Sequence, residues 1–316
     1  VLIVTLIGVL LYGLFAVYTG MQSVGESLAS FRGGAFWLAL SLASLNYLLR
    51  FGKWQYYLAR LEIRGIPALE SLLVFLSGFV LTITPGKVGE VFKSAVLAKT
   101  HGVAIERTAM IVVADRLTDV IGIVLLILAG SATFPEGRPW AIAGAGAVLI
   151  GLVFILWQPP ALWLCDRLEQ SQGKLSHLVP KLRHALGSLR VLASPSALGL
   201  PTLLSVLAWG AEGAALYVLL VGFHQAVSLP LSVVVYSSAT LAGALIPVPG
   251  GLGVVESLLR EGLHDFGHVA LGAATASMIL VRLATLWWAV LVGFMALLAL
   301  GWRFPAALNA ARERVQ

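Results

Sequence analysis

Apolar residues run along this chain in long unbroken stretches rather than in alternation. The stretches lie at about 1–19, 35–51, 108–130, 139–157, 201–222 and 270–300. A helix needs about 17–25 mostly apolar residues to cross the hydrocarbon of a bilayer. The pattern therefore predicts six full transmembrane helices. Two more apolar regions, 69–99 and 230–264, are each interrupted near the middle by a Pro-Gly pair, Pro85-Gly86 and Pro249-Gly250. Proline removes a backbone donor and glycine frees the turn, so both regions read as broken helices.

Composition agrees with the pattern. Of the 316 residues 59% are hydrophobic and 11% charged, against about 25% charged in soluble domains. The bilayer is the solvent this sequence implies. The run at 1–19 exceeds the core of a signal peptide and many spans follow it; the absence of an initial Met points to a start further upstream. The single cysteine, Cys165, permits no internal disulfide and disfavours a Cys-based metal site.

The net charge of +6 is a matter of sidedness, not of nucleic-acid binding. Arg50, Lys53, Arg60 and Arg64 follow the second span, Arg167, Lys174, Lys181, Arg183 and Arg190 fill 158–200, and Arg303, Arg312 and Arg314 end the chain. Basic loops stay cytoplasmic, which predicts a cytoplasmic C-terminus. These sides agree only if each broken region turns back, 69–99 from the cytoplasm and 230–264 from outside. The expectation is an all-α polytopic membrane helix bundle, one transmembrane domain over 1–316. It has about six full spans plus two re-entrant broken-helix hairpins. Residues 158–200 alternate leucine with charge and read as an amphipathic cytoplasmic segment on the lipid surface. Trp54, Tyr56, Tyr57, Trp140, Trp157 and Trp302 fall near predicted membrane edges and read as interfacial anchors.

The two breaks are alike. Thr84-Pro85-Gly86-Lys87-Val88-Gly89-Glu90 stands 31 residues before Arg116, counted from Pro85; Val248-Pro249-Gly250-Gly251-Leu252-Gly253, followed by Glu256, stands 33 before Arg282, counted from Pro249. Hairpins entering from opposite faces are the mark of an inverted repeat, here with halves at about 35–130 and 201–300. Such repeats place a substrate site near the midplane. Chance likeness of Gly-rich apolar sequence is the alternative.

Charges inside spans are costly unless paired or hydrated, by about 2.5–3.5 kcal/mol on insertion scales. Asp115 and Asp119 share a helix face and Arg116 sits three residues before Asp119. They read either as an ion pair locking the bundle or as part of a polar cavity. Arg282 has Glu90, Glu212 and Glu256 as possible partners. Asn46 and Arg50 share a face near a helix end, where Arg50 is placed to snorkel to the interface. Each returning half-helix offers free N–H groups at its N-terminus, which suits a phosphate, and Lys87 and Lys93 would reinforce that preference. The alternative is a packing kink without a ligand. The six histidines show no metal-ligand spacing, and no cofactor is implied.

Four segments together resemble the lysylphosphatidylglycerol synthase transmembrane-region family, also called the flippase-like domain or UPF0104 family. They are Asn46 through Lys53-Trp54; Pro85 through Glu90 with Lys93; Asp115-Arg116-Leu117-Thr118-Asp119; and Pro247 through Gly253 with Glu256. The resemblance covers nearly the whole chain. It departs at Lys53 and Asp115, where members often carry Arg and Glu. It implies a lipid translocase of the bacterial or archaeal plasma (inner) membrane. In multidomain relatives this part moves a phospholipid that a soluble domain modifies, so no enzymatic activity and no catalytic residue is expected here. The substrate would be a phospholipid or other anionic lipid, and a lipid-synthesis enzyme is a possible partner. The expected substrate-binding residues are Asn46, Arg50, Lys87, Glu90, Lys93, Asp115, Arg116, Asp119, Glu212, Glu256 and Arg282. The expected hinges are Pro85, Gly86, Gly89, Pro249, Gly250, Gly251 and Gly253. A small-solute or ion transporter, and a membrane scaffold for a lipid- or glycan-synthesis enzyme, are the rival readings.

Overall fold

The computed structural model describes residues 2–83, 89–132, 159–170, 179–246 and 248–304, with isolated positions between 142 and 157. Among these residues all regular structure is helical. The first break (84–88), with Pro85, Gly86 and Lys87, and most of the expected span at 139–157 lie outside them, as does the Glu90 side chain.

Helices α1 (Leu2–Thr19) and α2 (Met21–Ala29) precede α3 (Gly34–Arg60). The first interrupted region forms α4 (Ala68–Ser77), extended by a tight turn at Gly78–Leu81, and α5 (Gly89–His101). Then come α6 (Ile105–Ser131), the amphipathic α7 (Pro159–Gln170) and α8 (Val179–Leu192), and α9 (Pro195–Gly222). The second interrupted region forms α10 (Leu229–Leu245) and α11 (Val254–Asp265). The last apolar run is α12 (Leu271–Arg282), a widened π turn at Leu283–Trp287, and α13 (Trp288–Arg303).

Helices 34–60, 196–222 and 271–303 are long and apolar enough to cross a bilayer. Leu291, Phe294 and Leu298 on α13, and Leu203 and Leu207 on α9, stay exposed. Exposed apolar stripes of this kind belong against lipid. The chain is an all-helical, multi-pass membrane helix bundle.

The ends of the elements are tied in two groups. On one side Glu70, at the start of α4, bonds His101, at the end of α5 (Nε2 to Oε2, 3.0 Å), and Arg303, at the end of α13 (3.2 Å). Arg107 donates to the Leu61 carbonyl, and Arg60 to that of Ser196. The end of α3 and the starts of α6 and α9 therefore meet there too. In the other group, Val24, Phe223 and Ala276 pack together and Thr19 meets Thr275 at 2.9 Å. The arms of each interrupted region touch each other, and Ile83, the last described residue before the first break, joins a cluster with Leu252, Leu286 and Val290.

Two sequence expectations change here. Helix α3 continues to Arg60 instead of ending near residue 51. This lifts Arg50 and Lys53 out of a loop and into the bundle, where Lys53 is fully buried. Trp54 and Tyr57 are core residues, not interfacial anchors: the Trp54 indole donates to Ser71 Oγ and the Tyr57 hydroxyl meets the Ala114 carbonyl. Trp302 does remain exposed.

Candidate functional site

Residues 46, 50, 53 and 57 recur at intervals of four, three and four on α3, one face of a helix, and that face meets Asp115 and Asp119 of α6. Lys53 Nζ lies 2.7 Å from Asp115 Oδ1, from Asp119 Oδ1 and from Ser205 Oγ of α9. Arg50 Nη2 reaches Asp115 Oδ2 at 3.1 Å and Asp119 Oδ2 at 3.3 Å. Ser205 donates to Asp119 as well, at 3.0 Å. Two cations and two anions thus share one buried lattice. Arg50 is committed to it and does not snorkel. Arg116 only approaches Asp119, at 4.0 Å, and is part-exposed. Lys93 is buried with its ammonium 5.5 Å from the Trp54 ring and 4.9 Å from the Phe75 ring; both are cation–π distances.

The second polar centre surrounds the second break. Gly250, Gly251 and Gly253 have φ of 62°, 67° and 87°, the left-handed region that glycine enters freely. The turn frees the Gly250 carbonyl, which accepts from Arg282 Nη2 at 2.7 Å. Arg282 Nε pairs with Glu256 Oε1, also at 2.7 Å. Of its three sequence candidates, Glu256 is the partner. The other Glu256 oxygen accepts the Gly253 N–H at 2.7 Å, the N3-to-N-cap half of a capping box. The N-terminus of α11 therefore already holds a carboxylate of its own chain. One of the donors expected to be free for a phosphate at this half-helix, the Gly253 N–H, is occupied. Tyr12, 3.5 Å from Glu256 and bonded by the Trp287 indole at 2.8 Å, closes the far side.

Between the two centres lies a cavity of about 110 Å³, lined by Asn46, Arg50, Arg116, Trp209, Glu212, Tyr236 and Arg282 together with Gly243, Gly250 and Gly251. The two arginines matched by spacing from the breaks, Arg116 and Arg282, both reach it. Glu212 is held by the Tyr236 hydroxyl at 2.6 Å and, among the described residues, belongs to no ion pair. Asn46, Arg50, Arg116, Glu212 and Arg282 of the expected site line this space, while Asp115, Asp119 and Glu256 stand behind its cations. Lys93 is not on its wall. Lys53, Trp209 and Tyr236 were not among the expected site residues. The helical stripe 46, 50, 53, 57 was the available signal for Lys53; Trp209 and Tyr236 read as ordinary apolar span positions.

A larger hollow, about 840 Å³, opens beside Arg60, Arg107, Arg183 and His184. Its arginines are spoken for: Arg183 bonds Glu169 and Asp166, and these bonds hold its guanidinium above the ordinary arginine pKa.

A cationic cavity within an apolar bundle, beside a broken helix, defines a multi-pass membrane protein with a polar site at its centre. The family model of the lysylphosphatidylglycerol synthase TM region matches residues 1–293, and the chain belongs to this family. A UPF0104 membrane protein of Methanothermobacter thermautotrophicus is 26% identical over 221 residues. That match spans 65% of this chain and 66% of the relative, just under two thirds of the relative's length.

Proposed function

We propose that the protein is a lipid flippase that moves a phospholipid or other anionic lipid between the leaflets of the plasma (inner) membrane, its C-terminus in the cytoplasm. The observation that carries this reading is the central cavity, where Arg50, Arg116 and Arg282 face a space whose wall, among the described residues, supplies one carboxylate, Glu212. Three guanidiniums favour a phosphate bidentately, and the acyl chains remain in lipid. In this reading the arms at 68–101 and 229–265 re-enter from opposite faces as an inverted repeat. The tie of Glu70 to both His101 and Arg303 supports the first re-entry. The protein has no catalytic role of its own and serves a lipid made elsewhere.

The test is leaflet exchange of fluorescent lipids in proteoliposomes. Wild type accelerates exchange, and both Arg116→Gln and Arg282→Ala lower it. Arg116 is part-exposed and its pair with Asp119 is long, at 4.0 Å, while Asp119 keeps Lys53 and Arg50; far-UV circular dichroism of the purified variant separates a loss of transport from a loss of folding. A folded, inserted protein that moves no lipid in a broad panel but takes up a small solute is a solute transporter. One that moves neither is a scaffold.

A further inference from the structure

Two uncharged side chains that line the cavity each carry a buried polar atom with no partner among the described residues: Asn46 Oδ1 and Trp209 Nε1. Both side chains are more than nine-tenths buried, and an unpaired buried polar group costs about 1–3 kcal/mol. Neither is free to turn away. Asn46 Nδ2 donates to the Ala208 carbonyl at 2.9 Å, which fixes the amide with its oxygen as the remaining acceptor. Arg50 lies over the Trp209 ring at 5.9 Å. Glu212 follows Trp209 by three residues on α9, and Tyr236 bonds one of its oxygens. The wall thus presents two kinds of group. Trp209, Arg50, Arg116 and Arg282 donate. Asn46 Oδ1 and Glu212 accept.

We infer that the cavity selects a phosphoester whose alcohol carries a hydrogen-bond donor, an amine or a hydroxyl, and that Asn46, Trp209 and Glu212 set this choice. A bare phosphate satisfies the donors but offers no hydrogen to Asn46 Oδ1 or Glu212. A trimethylammonium headgroup brings charge but no N–H or O–H, and three methyl groups crowd a space of about 110 Å³. An aminoethyl or glycerol phosphodiester matches both halves of the wall. The inference rests on the flippase reading for the way the ligand arrives; the cavity chemistry itself does not.

Binding and exchange are measured separately. Purified protein in detergent is titrated with dihexanoyl phosphatidylethanolamine, phosphatidylglycerol and phosphatidylcholine, and with water-soluble glycerophosphoethanolamine. Proteoliposomes carrying the long-chain fluorescent lipids report exchange. The ethanolamine and glycerol forms bind about tenfold more tightly than the choline form and exchange faster. Trp209→Phe, which removes only the N–H, weakens all the phosphoesters. Glu212→Gln brings the ethanolamine-to-choline ratio down towards one. Glycerophosphoethanolamine binding as tightly as the dihexanoyl form identifies a soluble phosphoester as the ligand; weaker binding identifies the lipid. Binding preference without any exchange sinks the flippase reading and keeps the cavity chemistry. Equal or choline-favouring binding, or none at all, overturns the inference, and equal exchange of all lipids does so while leaving the flippase reading in place.

Discussion

Lys53→Met is the most incisive perturbation of the buried lattice. Lys53 is fully buried and has three oxygens at 2.7 Å. With Arg50, Asp115 and Asp119 it forms a set of four formal charges that sums to zero. Removing Lys53 leaves the two carboxylates to Arg50, with Arg116 no nearer than 4.0 Å to Asp119. Breaking a buried pair in this way costs about 3–5 kcal/mol, because a charge stays behind without a partner. Asp119→Leu leaves the opposite excess and costs a similar amount. The double variant Lys53→Met/Asp119→Leu restores neutrality and keeps the Arg50–Asp115 bond at 3.1 Å; replacing a whole buried pair by apolar groups of like size is often close to neutral. The double change is therefore expected to be less costly than either single change, with a coupling of at least about 2 kcal/mol, within the range of contacting pairs. The assay is unfolding of the purified protein in mixed micelles titrated with SDS, followed by far-UV circular dichroism. Additive single costs, or a Lys53→Met variant as stable as wild type, would refute the charge accounting.

Other positions give sharper or softer effects for stated reasons. Glu70→Gln removes the charge facing Arg303 and His101 but keeps an acceptor, and the Arg303 side chain is 66% exposed, so the loss in the same SDS titration stays at about 0–1 kcal/mol, as for surface pairs. A Cβ at Gly243 would stand 2.3 Å from Val255 Cγ2, so Gly243→Ala pushes α10 and α11 apart and costs about 1–3 kcal/mol. Gly253→Ala meets no neighbour within 4 Å but would hold an alanine at φ 87° and ψ −48°, outside the regions open to L-residues, at a cost of about 1–3 kcal/mol; no loss of stability at Gly243 would contradict the packing account, and none at Gly253 the backbone one. With Cys165→Ser as background, cysteines placed at Arg64 and Lys99 react with a membrane-impermeant maleimide from one side. Those at Ala226 and Asp265 react from the other. Labelling of Arg64 and Lys99 from opposite sides would show that 68–101 spans.

Much of the bundle was legible because a bilayer imposes one rule, long apolar runs, and the sequence obeys it. The break at Pro249 was legible for a related reason, since proline and glycine in an apolar run have few other uses. What length and hydropathy could not supply was the end of α3. A helix that carries Arg50 and Lys53 looks finished by hydropathy, yet it continues because both charges turn inward to Asp115 and Asp119. Trp54 and Tyr57 were misplaced by the same error, as their edge position followed from ending the helix too early. Trp209 and Tyr236 carried no signal at all. Their polar atoms matter only because α9 and α10 bring them beside Asn46 and Glu212.

The two ends of the cavity differ in how firmly their cations are held. Arg50 belongs to the four-charge lattice, and moving it would leave two carboxylates, Asp115 and Asp119, on the Lys53 ammonium. Arg282 is bound to one carboxylate and one carbonyl, Glu256 and Gly250, and that carboxylate also caps α11 through the Gly253 N–H. A phosphate that draws Arg282 forward thus loosens the first turn of α11 at a run of left-handed glycines, whereas one bound to Arg50 disturbs nothing. Glu256→Gln keeps an acceptor for the Gly253 N–H and removes the charge opposite Arg282. It should therefore bind inorganic phosphate or dihexanoyl phosphatidylglycerol more tightly than wild type and release it more slowly. Isothermal titration in detergent reads the affinity, and stopped-flow displacement reads the release rate. Unchanged affinity would mean that the Arg282 guanidinium does not take part in anion binding, and the site would then reduce to Arg50 and Arg116.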